Sequence, residues 1–125
     1  MQSDIEKIFK SVLDASFEVH KNLGPGLLES VYRRCLLFEL QSKNIKVETE
    51  KVLPVYYKDK IIEAGYRIDL LVEDSIIIEI KAIEKMNNLF EAQIMSYMKL
   101  SKIKLGLLVN FNTKLLKDGI KRIIM

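Results

Sequence analysis

The sequence predicts an α/β fold in which a mixed β-sheet is flanked by helices. Two stretches with helical spacing open the chain, and two short apolar runs rich in β-branched residues, residues 65–72 and 75–82, follow them as a hairpin. A third helical stretch then leads to a buried run at residues 105–110. A hairpin followed by a helical crossover and a further strand is typical of a mixed sheet covered by helices, rather than of a bundle or a sandwich.

Apolar residues at spacings of three and four predict a first helix over Ser3 to Lys21. Gly24-Pro25-Gly26 breaks this helix, and the same kind of spacing predicts a second one from about Leu27 to Ser42. This spacing places near one face of the second helix Leu28, Val31, Cys35, Phe38 and Glu39, and we expect that face to be buried.

Residues 45–57 alternate weakly and contain Pro54, which indicates an edge strand or a bulge. The turn Lys58-Asp59-Lys60 leads from this strand into the hairpin. A third helix is predicted from Asn87 to Ser101, capped by Asn87 or Asn88, and residues 120–124 form a possible last strand. The predicted order is α-α-β-β-β-α-β, followed by a C-terminal tail or strand.

Composition limits the classes of protein to consider. With 125 residues, of which 49% are hydrophobic, we expect one domain spanning residues 1–125. The single Cys35 excludes an intramolecular disulfide framework. No apolar run approaches the roughly 18 residues of a membrane span, and the charged N-terminal residues do not resemble a signal peptide, so we expect a cytoplasmic protein with no membrane association. The net charge of +3 is compatible with a polyanionic partner but does not identify one.

Asp69 and Glu79 are the most informative residues of the hairpin. Side chains alternate along a strand, so Glu79 and Lys81 share one face, and a three-residue loop centred on Asp74 would place Asp69 opposite Glu79. Like charges directly across a ladder are destabilising. The pair is therefore expected to be neutralised, most simply by a divalent cation.

Four short motifs point to a known family. Gly26-Leu-Leu-Glu29-Ser-Val-Tyr32 fits the pattern GxxExxY, and it is followed by Asp69, Glu79-x-Lys81 and Gln93-x-x-x-Tyr97. With these motifs in this order, the chain resembles the small GxxExxY proteins of the PD-(D/E)XK nuclease superfamily. The helix-borne glutamate and the QxxxY helix are similar to the branch that contains the RecB nuclease domain and lambda exonuclease. One departure is Ile68, which stands where the superfamily normally has proline.

The resemblance implies a three-layer, restriction-endonuclease-like core. It also implies a metal-dependent nuclease that hydrolyses phosphodiester bonds in DNA, with end-directed exonuclease activity as one option. It implies that Asp69, Glu79 and the backbone carbonyl of Ile80 hold Mg²⁺ (or Mn²⁺), with Glu29 as a further possible ligand. Lys81 would hold or deprotonate the attacking water. The residues that would orient Lys81, contact the nucleic acid or support the site are Gln93, Tyr97 and Tyr32.

Each acidic residue also has an ordinary structural interpretation. Glu29 could be a first-turn acid favoured by the helix dipole, or a partner of Arg33 one turn later. Asp69 could pair with a nearby basic residue, Arg67 or Lys60, on a solvent face. Glu79 and Lys81 could be outward-facing strand residues. The apolar neighbours of Asp69 and Glu79 favour burial and hence a functional role.

Tyr32 and Tyr97 fit core or rim aromatic residues better than catalysts.

The function of the whole chain also has an alternative interpretation. Instead of an enzyme, the chain could be a catalytically silent module of the same fold that binds nucleic acid or a partner protein. A homodimer would suit cleavage of duplexes or junctions, whereas a monomer or ring would suit digestion from ends. The sequence leaves these choices open.

Basic residues occur on both sides of the predicted site, where they could frame a groove for phosphates or form an ordinary solvated face. They are Arg33, Arg34, Lys43, Lys46 and Lys51 on one side and Lys85, Lys99, Lys102 and Lys104 on the other. No aromatic platform for base stacking is evident in the sequence. We therefore expect contacts to the nucleic-acid backbone, with little readout of base sequence.

Overall fold

The computed structural model describes residues 2–125. Its helices are α1 (Gln2–Leu23), α2 (Glu29–Ser42) and α3 (Asn88–Ser101), with a short 3₁₀ helix at Leu116–Gly119. Its strands are β1 (Val47–Val52), β2 (Val55–Tyr57), β3 (Lys60–Ile62), β4 (Arg67–Val72), β5 (Ile76–Lys81), β6 (Leu105–Asn110) and β7 (Ile120–Ile124). Within this described part, none of the helices combines the length and the hydropathy that crossing a bilayer requires.

Five strands form the main sheet in the order β1-β4-β5-β6-β7. The strands β5 and β6 are parallel and are joined through α3, whereas the other neighbours are antiparallel. The predicted mixed sheet and the predicted strand at residues 120–124 are thereby confirmed. A parallel pair requires a crossover of this kind, since the chain must return to the same end of the sheet.

Helices cover both faces of the sheet, as the predicted three-layer core requires. One cluster of buried residues joins α1 and α2 to the sheet through Phe9, Val12, Leu36, Leu40, Ile78 and Leu107. A second cluster joins α3 to the opposite face through Ile77, Leu108, Ile94 and Met98. The apolar strands β5 and β6 lie in the middle and are buried from both sides, which accounts for their continuous hydrophobic runs.

The buried face of α2 differs from the predicted one. Leu28 and Phe38 are 73% and 67% exposed, and the buried residues are Tyr32, Leu36 and Leu40. Because α2 carries apolar residues on most of its circumference, its spacing alone does not select a face. The ring of Tyr32 stacks on Phe111 at a centroid distance of 4.7 Å, and this contact with a distant part of the chain sets the rotation of the helix.

The predicted strand at residues 45–57 is interrupted. Strand β1 ends at Val52 and β2 begins at Val55, with Pro54, which has no N–H to donate, at the break. β1 is the edge strand that Pro54 predicted. The sequence did not indicate β3, which pairs with β2 in a separate two-stranded sheet that is almost wholly exposed. We refer to residues 55–62 as the β2–β3 hairpin.

Candidate functional site

The candidate site lies where β4 begins and β5 ends. The ladder between these strands pairs Val72 with Ile76 across the expected three-residue loop and ends at Leu70 and Ile78, so the next opposed residues are Asp69 and Glu79. At this point hydrogen bonds from backbone N–H groups to the carboxylates of Asp69 and Glu79 take the place of backbone-to-backbone bonds between the strands. The N–H of Asp69 donates to Oε2 of Glu79 at 2.9 Å, and the N–H of Ile80 donates to Oδ2 of Asp69 at 2.8 Å.

Burial makes this pair of carboxylates costly to ionise. Only 4% of Glu79 is exposed, and burial together with the charge of Asp69 raises its pKa to about 8. Burial also raises the pKa of Asp69, opposed by the hydrogen bond from Ile80 and by the charges of Lys81 and Arg33. Glu79 is therefore not the outward-facing strand residue of the alternative interpretation. The pair requires a proton or a cation for neutralisation.

The oxygen atoms fit a hard divalent cation. The two hydrogen bonds engage one oxygen of each carboxylate and do not involve Oδ1 of Asp69 or Oε1 of Glu79. The N–H of Ile80 points towards Asp69, and in an extended strand the carbonyl of the same residue points to the same side. Among the described residues no group of three or more acidic, histidine or cysteine side chains converges. Two carboxylates with waters are the usual protein share for Mg²⁺.

Lys81 lies beside the carboxylates, and two residues of α3 contact its side chain. Its Nζ is 3.5 Å from Oε1 of Gln93 and 4.7 Å from the centroid of the Phe90 ring. The charge of Lys81 lowers the pKa of both Asp69 and Glu79. The ammonium group is thus positioned next to the acids by a hydrogen bond and a cation–π contact. Gln93, whose role the sequence left open, contacts Lys81.

Glu29 is the first residue of α2 and approaches from the opposite helical layer. The residue is exposed, but partial desolvation of its carboxyl group raises its pKa, and the charge of Asp69 adds to this effect. The charges of Lys81 and Arg33 act in the opposite direction. Glu29 is therefore within electrostatic reach of the site, although it does not complete a cluster of three carboxylates.

Glu50 is a further acid that the sequence analysis missed. Its carboxylate pairs with Arg33 at 2.9 Å, and its charge raises the pKa of Asp69. Glu50 has a φ of 48° inside β1, at the point where the pairing with β4 skips the position opposite Asp69. This left-handed conformation is unfavourable for a residue with a side chain. Nothing in the alternating charges of β1 distinguishes Glu50 in the sequence.

Tyr32 lies outside the site, in the core beneath it. It is fully buried, and its hydroxyl group donates to the carbonyl of Gly24 at 2.6 Å and accepts from the N–H of Leu27 at 3.1 Å. Gly26, between these two residues, has a φ of 102°, a conformation that favours glycine. The glycine and the tyrosine of the GxxExxY pattern thus shape the loop that ends at Glu29.

We expect Tyr32→Phe to lower the free energy of unfolding by about 1–3 kcal/mol, because the stacked ring is retained while two hydrogen bonds of the loop are lost. Urea denaturation at neutral pH measures this change. Tyr57→Phe is the control, since that residue is 58% exposed. Equal midpoints for Tyr32→Phe and the unmodified chain would contradict the assigned role of the hydroxyl group.

Tyr97 lies on the same side of the sheet as Glu79. Burial, with the charge of Glu79 adding to it, raises the pKa of Tyr97 to about 12, so the phenol is protonated at neutral pH. Its ring contacts Tyr66 at a centroid distance of 5.9 Å. Tyr97 belongs to the buried cluster beneath α3, so of the two alternatives, core or rim aromatic, the structure favours the core.

Asn110 is a second residue that the sequence analysis missed. It ends β6 opposite Lys81, is 2% exposed, and binds both the N–H and the carbonyl of Ile83, at 3.1 and 3.0 Å. It also accepts a hydrogen bond from the N–H of Asn112 at 3.1 Å. The side chain therefore fixes the path of the backbone directly after Lys81. A polar residue at the end of an otherwise apolar run was the available signal.

Comparison with known proteins gave one match. A sequence model of the PD-(D/E)XK nuclease superfamily matches residues 6–123. No curated protein and no solved structure showed a significant match. The matched range contains every residue of the site described above, from Glu29 to Asn110.

Proposed function

Because the chain belongs to the PD-(D/E)XK nuclease superfamily, we propose that it hydrolyses phosphodiester bonds of DNA with the help of a divalent metal ion. Members of this superfamily are usually nucleases that use Mg²⁺ or Mn²⁺. The observation that supports the proposal is the pair of the half-buried Asp69 and the buried Glu79 beside Lys81, a concentration of negative charge that a cation would neutralise. We further assign the chain to the GxxExxY group and the RecB-like branch, as one domain that acts in the cytoplasm.

In this proposal Asp69, Glu79 and the carbonyl of Ile80 hold the cation. When bound, the ion supplies a water that is acidic enough to ionise near neutral pH, and positive charge for the phosphoryl oxygens. The remaining residues prepare the site for it. The backbone donors of Asp69 and Ile80 fix both carboxylates, so little reorganisation accompanies binding.

Lys81 acts on the attacking water or on the phosphate. An ammonium group on the same strand face as Glu79 can orient a water by hydrogen bonding, and its charge opposes that of the phosphoryl oxygens. Gln93 and Phe90 limit the positions of Nζ, which lowers the cost of ordering a flexible side chain. Gln93 is therefore a positioning residue for Lys81. Glu29 takes part through a water or a second ion on the side of the site that faces α2.

The test is cleavage of labelled single-stranded, duplex and branched DNA and of single-stranded RNA, each with Mg²⁺, Mn²⁺ or EDTA. We expect cleavage of DNA that EDTA abolishes and that Lys81→Met lowers by roughly 100-fold or more. Lys10→Met is the matched control, because Lys10 lies on α1 in an exposed pair with Asp14. Cleavage by Lys81→Met at the unmodified rate would reject the assigned mechanism. Binding of DNA without cleavage of any substrate would instead favour the catalytically silent module.

A further inference from the structure

A groove begins beside the candidate site and extends along α3. Its near part, about 430 Å³, is lined by Gln93 and Tyr97 on α3 and by Tyr66 and Val55 on the other side. Its far part, about 540 Å³, is lined by Tyr56, Lys99 and Lys102. Leu100 lines both parts, so the two hollows adjoin. The groove therefore connects the surroundings of the site with the β2–β3 hairpin.

The near end of the groove is continuous with the site. Gln93 faces the groove and also contacts Lys81, and Tyr97 is close enough to Glu79 for the acid to raise its pKa. A nucleic-acid strand with a phosphate at the carboxylates of Asp69 and Glu79 could thus continue into the groove, because Gln93 lies at the boundary between the two.

The groove exposes aromatic rings that the fold brings together. Tyr66 is 43% exposed and Tyr56 is 58% exposed. The ring of Tyr66 contacts the ring of Tyr97 at an interplanar angle of 54°. The sequence indicated no aromatic platform, because these residues lie on separate segments. Exposed rings of this kind, beside a groove, stack on unpaired bases, which present their faces only in a single strand.

The far end of the groove is basic. Lys99 and Lys102 line it, and neither forms an ion pair with a carboxylate in the part of the chain that the structure describes. The acids of the adjoining segment, Asp59 and Glu63, are not among the residues that line the groove. Aromatic faces with unpaired ammonium groups are complementary to a polyanion that carries flat bases, whereas an apolar protein surface would leave the ammonium groups without partners.

We propose that this groove binds a single-stranded nucleic-acid segment next to the bond to be cleaved, with bases stacked on Tyr66 and Tyr56 and phosphates near Lys99 and Lys102. The inference rests on the proposed function, because the site supplies the scissile end of the strand. It adds the substrate class: an unpaired strand, in place of the backbone contacts alone that the sequence suggested.

The test measures binding, so that it is separate from cleavage. Fluorescence anisotropy gives the Kd of a labelled twelve-nucleotide oligothymidylate and of a sugar-phosphate strand of equal length without bases, both in Ca²⁺, with strand integrity checked on a gel. The proteins are the unmodified chain, Tyr66→Ala, Tyr66→Phe and Tyr56→Ala. Phe38→Ala is the control, because Phe38 is 67% exposed on α2 and lies outside the groove.

We expect Tyr66→Ala and Tyr56→Ala each to raise the Kd for oligothymidylate about fivefold or more, and Tyr66→Phe and Phe38→Ala to leave it unchanged. Neither alanine variant should change the Kd for the strand without bases, since the ring and the base form one coupled pair. We also expect Lys99→Gln to reduce the slope of log K against log salt by about 0.7. Tyr56→Ala keeps the test decisive if Tyr66→Ala unfolds.

Several outcomes would overturn the inference. Unchanged affinity in both tyrosine variants is one, and an equal loss for strands with and without bases is another. A shift in dimerisation by sedimentation, with no change in strand affinity, would make the groove a protein interface instead. The proposed function can fail separately from this inference. Tyrosine-dependent binding without any cleavage supports the groove and rejects the nuclease. Cleavage that is lost in Lys81→Met, together with tyrosine-independent binding, supports the nuclease and rejects the groove.

Discussion

Glu79→Gln is expected to stabilise the metal-free protein at pH 8 and to abolish cleavage. The pKa of Glu79 is raised from 4.5 to about 8 in the folded protein, so between these values the folded state binds a proton that the unfolded state has lost. Stability therefore falls as pH rises through this window, by at most about 1.4 kcal/mol per pH unit. The cost is absent below pH 4.5, where both states are protonated, and fully present above pH 8.

Urea denaturation in EDTA at several pH values between 5 and 8 measures this effect. Glutamine removes the titrating proton, so the midpoint of Glu79→Gln should vary less with pH than that of the unmodified chain. Glu84→Gln is the control, because Glu84 is exposed. Mg²⁺ should stabilise the unmodified chain at pH 8 and have little effect on Glu79→Gln. Parallel pH profiles for Glu79→Gln and the unmodified chain would show that the carboxyl group does not carry the predicted cost.

Gly119→Ala is expected to lower the free energy of unfolding by roughly 3 kcal/mol or more. An added Cβ would overlap the carbonyl oxygen of Asn110, a backbone atom that cannot rotate away, and would also press on Thr113. Asn110 anchors the backbone after Lys81, so the displacement should also reduce cleavage.

Gly65→Ala separates this overlap from the conformational freedom of glycine. Gly65 has a φ of 80°, and a Cβ there meets nothing within 4 Å, so only the cost of the left-handed conformation, about 1–2 kcal/mol, applies. Thermal and urea denaturation of both variants give the comparison. A loss in Gly119→Ala no larger than in Gly65→Ala would show that the 3₁₀ segment moves freely away from β6.

The sequence predicts those parts of the fold that depend on neighbouring residues. The apolar spacing over Ser3 to Lys21 predicts α1, which spans Gln2–Leu23, and the loop centred on Asp74 gives the register of the hairpin. The cap of α3 is one of the two candidates: the side chain of Asn87 accepts from the N–H of Leu89 at 2.9 Å. In each case the decisive interaction lies within a few residues in the chain.

The features that could not be predicted depend on distant contacts. The rotation of α2 follows from the stacking of Tyr32 on Phe111, and the ion pair of Arg33 with Glu50 depends on how α2 crosses β1. The β2–β3 hairpin was missed because a three-residue exposed strand carries almost no hydrophobic pattern. The same reasoning explains the site. Asp69 and Glu79 could be paired from the sequence, and their apolar neighbours indicated burial, but the placement of Glu29 required the assembled layers.

The residues at the centre of the site are local in sequence. Asp69, Glu79 and Lys81 lie on one hairpin closed by a three-residue loop, so bringing them together costs little chain entropy. Glu29 lies on a separate segment, at the start of α2, and the β2–β3 hairpin is a further separate segment, which lines the groove along α3. An insertion or substitution in those outer segments can change which molecules reach the carboxylates while the hairpin that holds them stays intact. The outer segments of this architecture can thus vary in sequence independently of the hairpin that carries the two carboxylates.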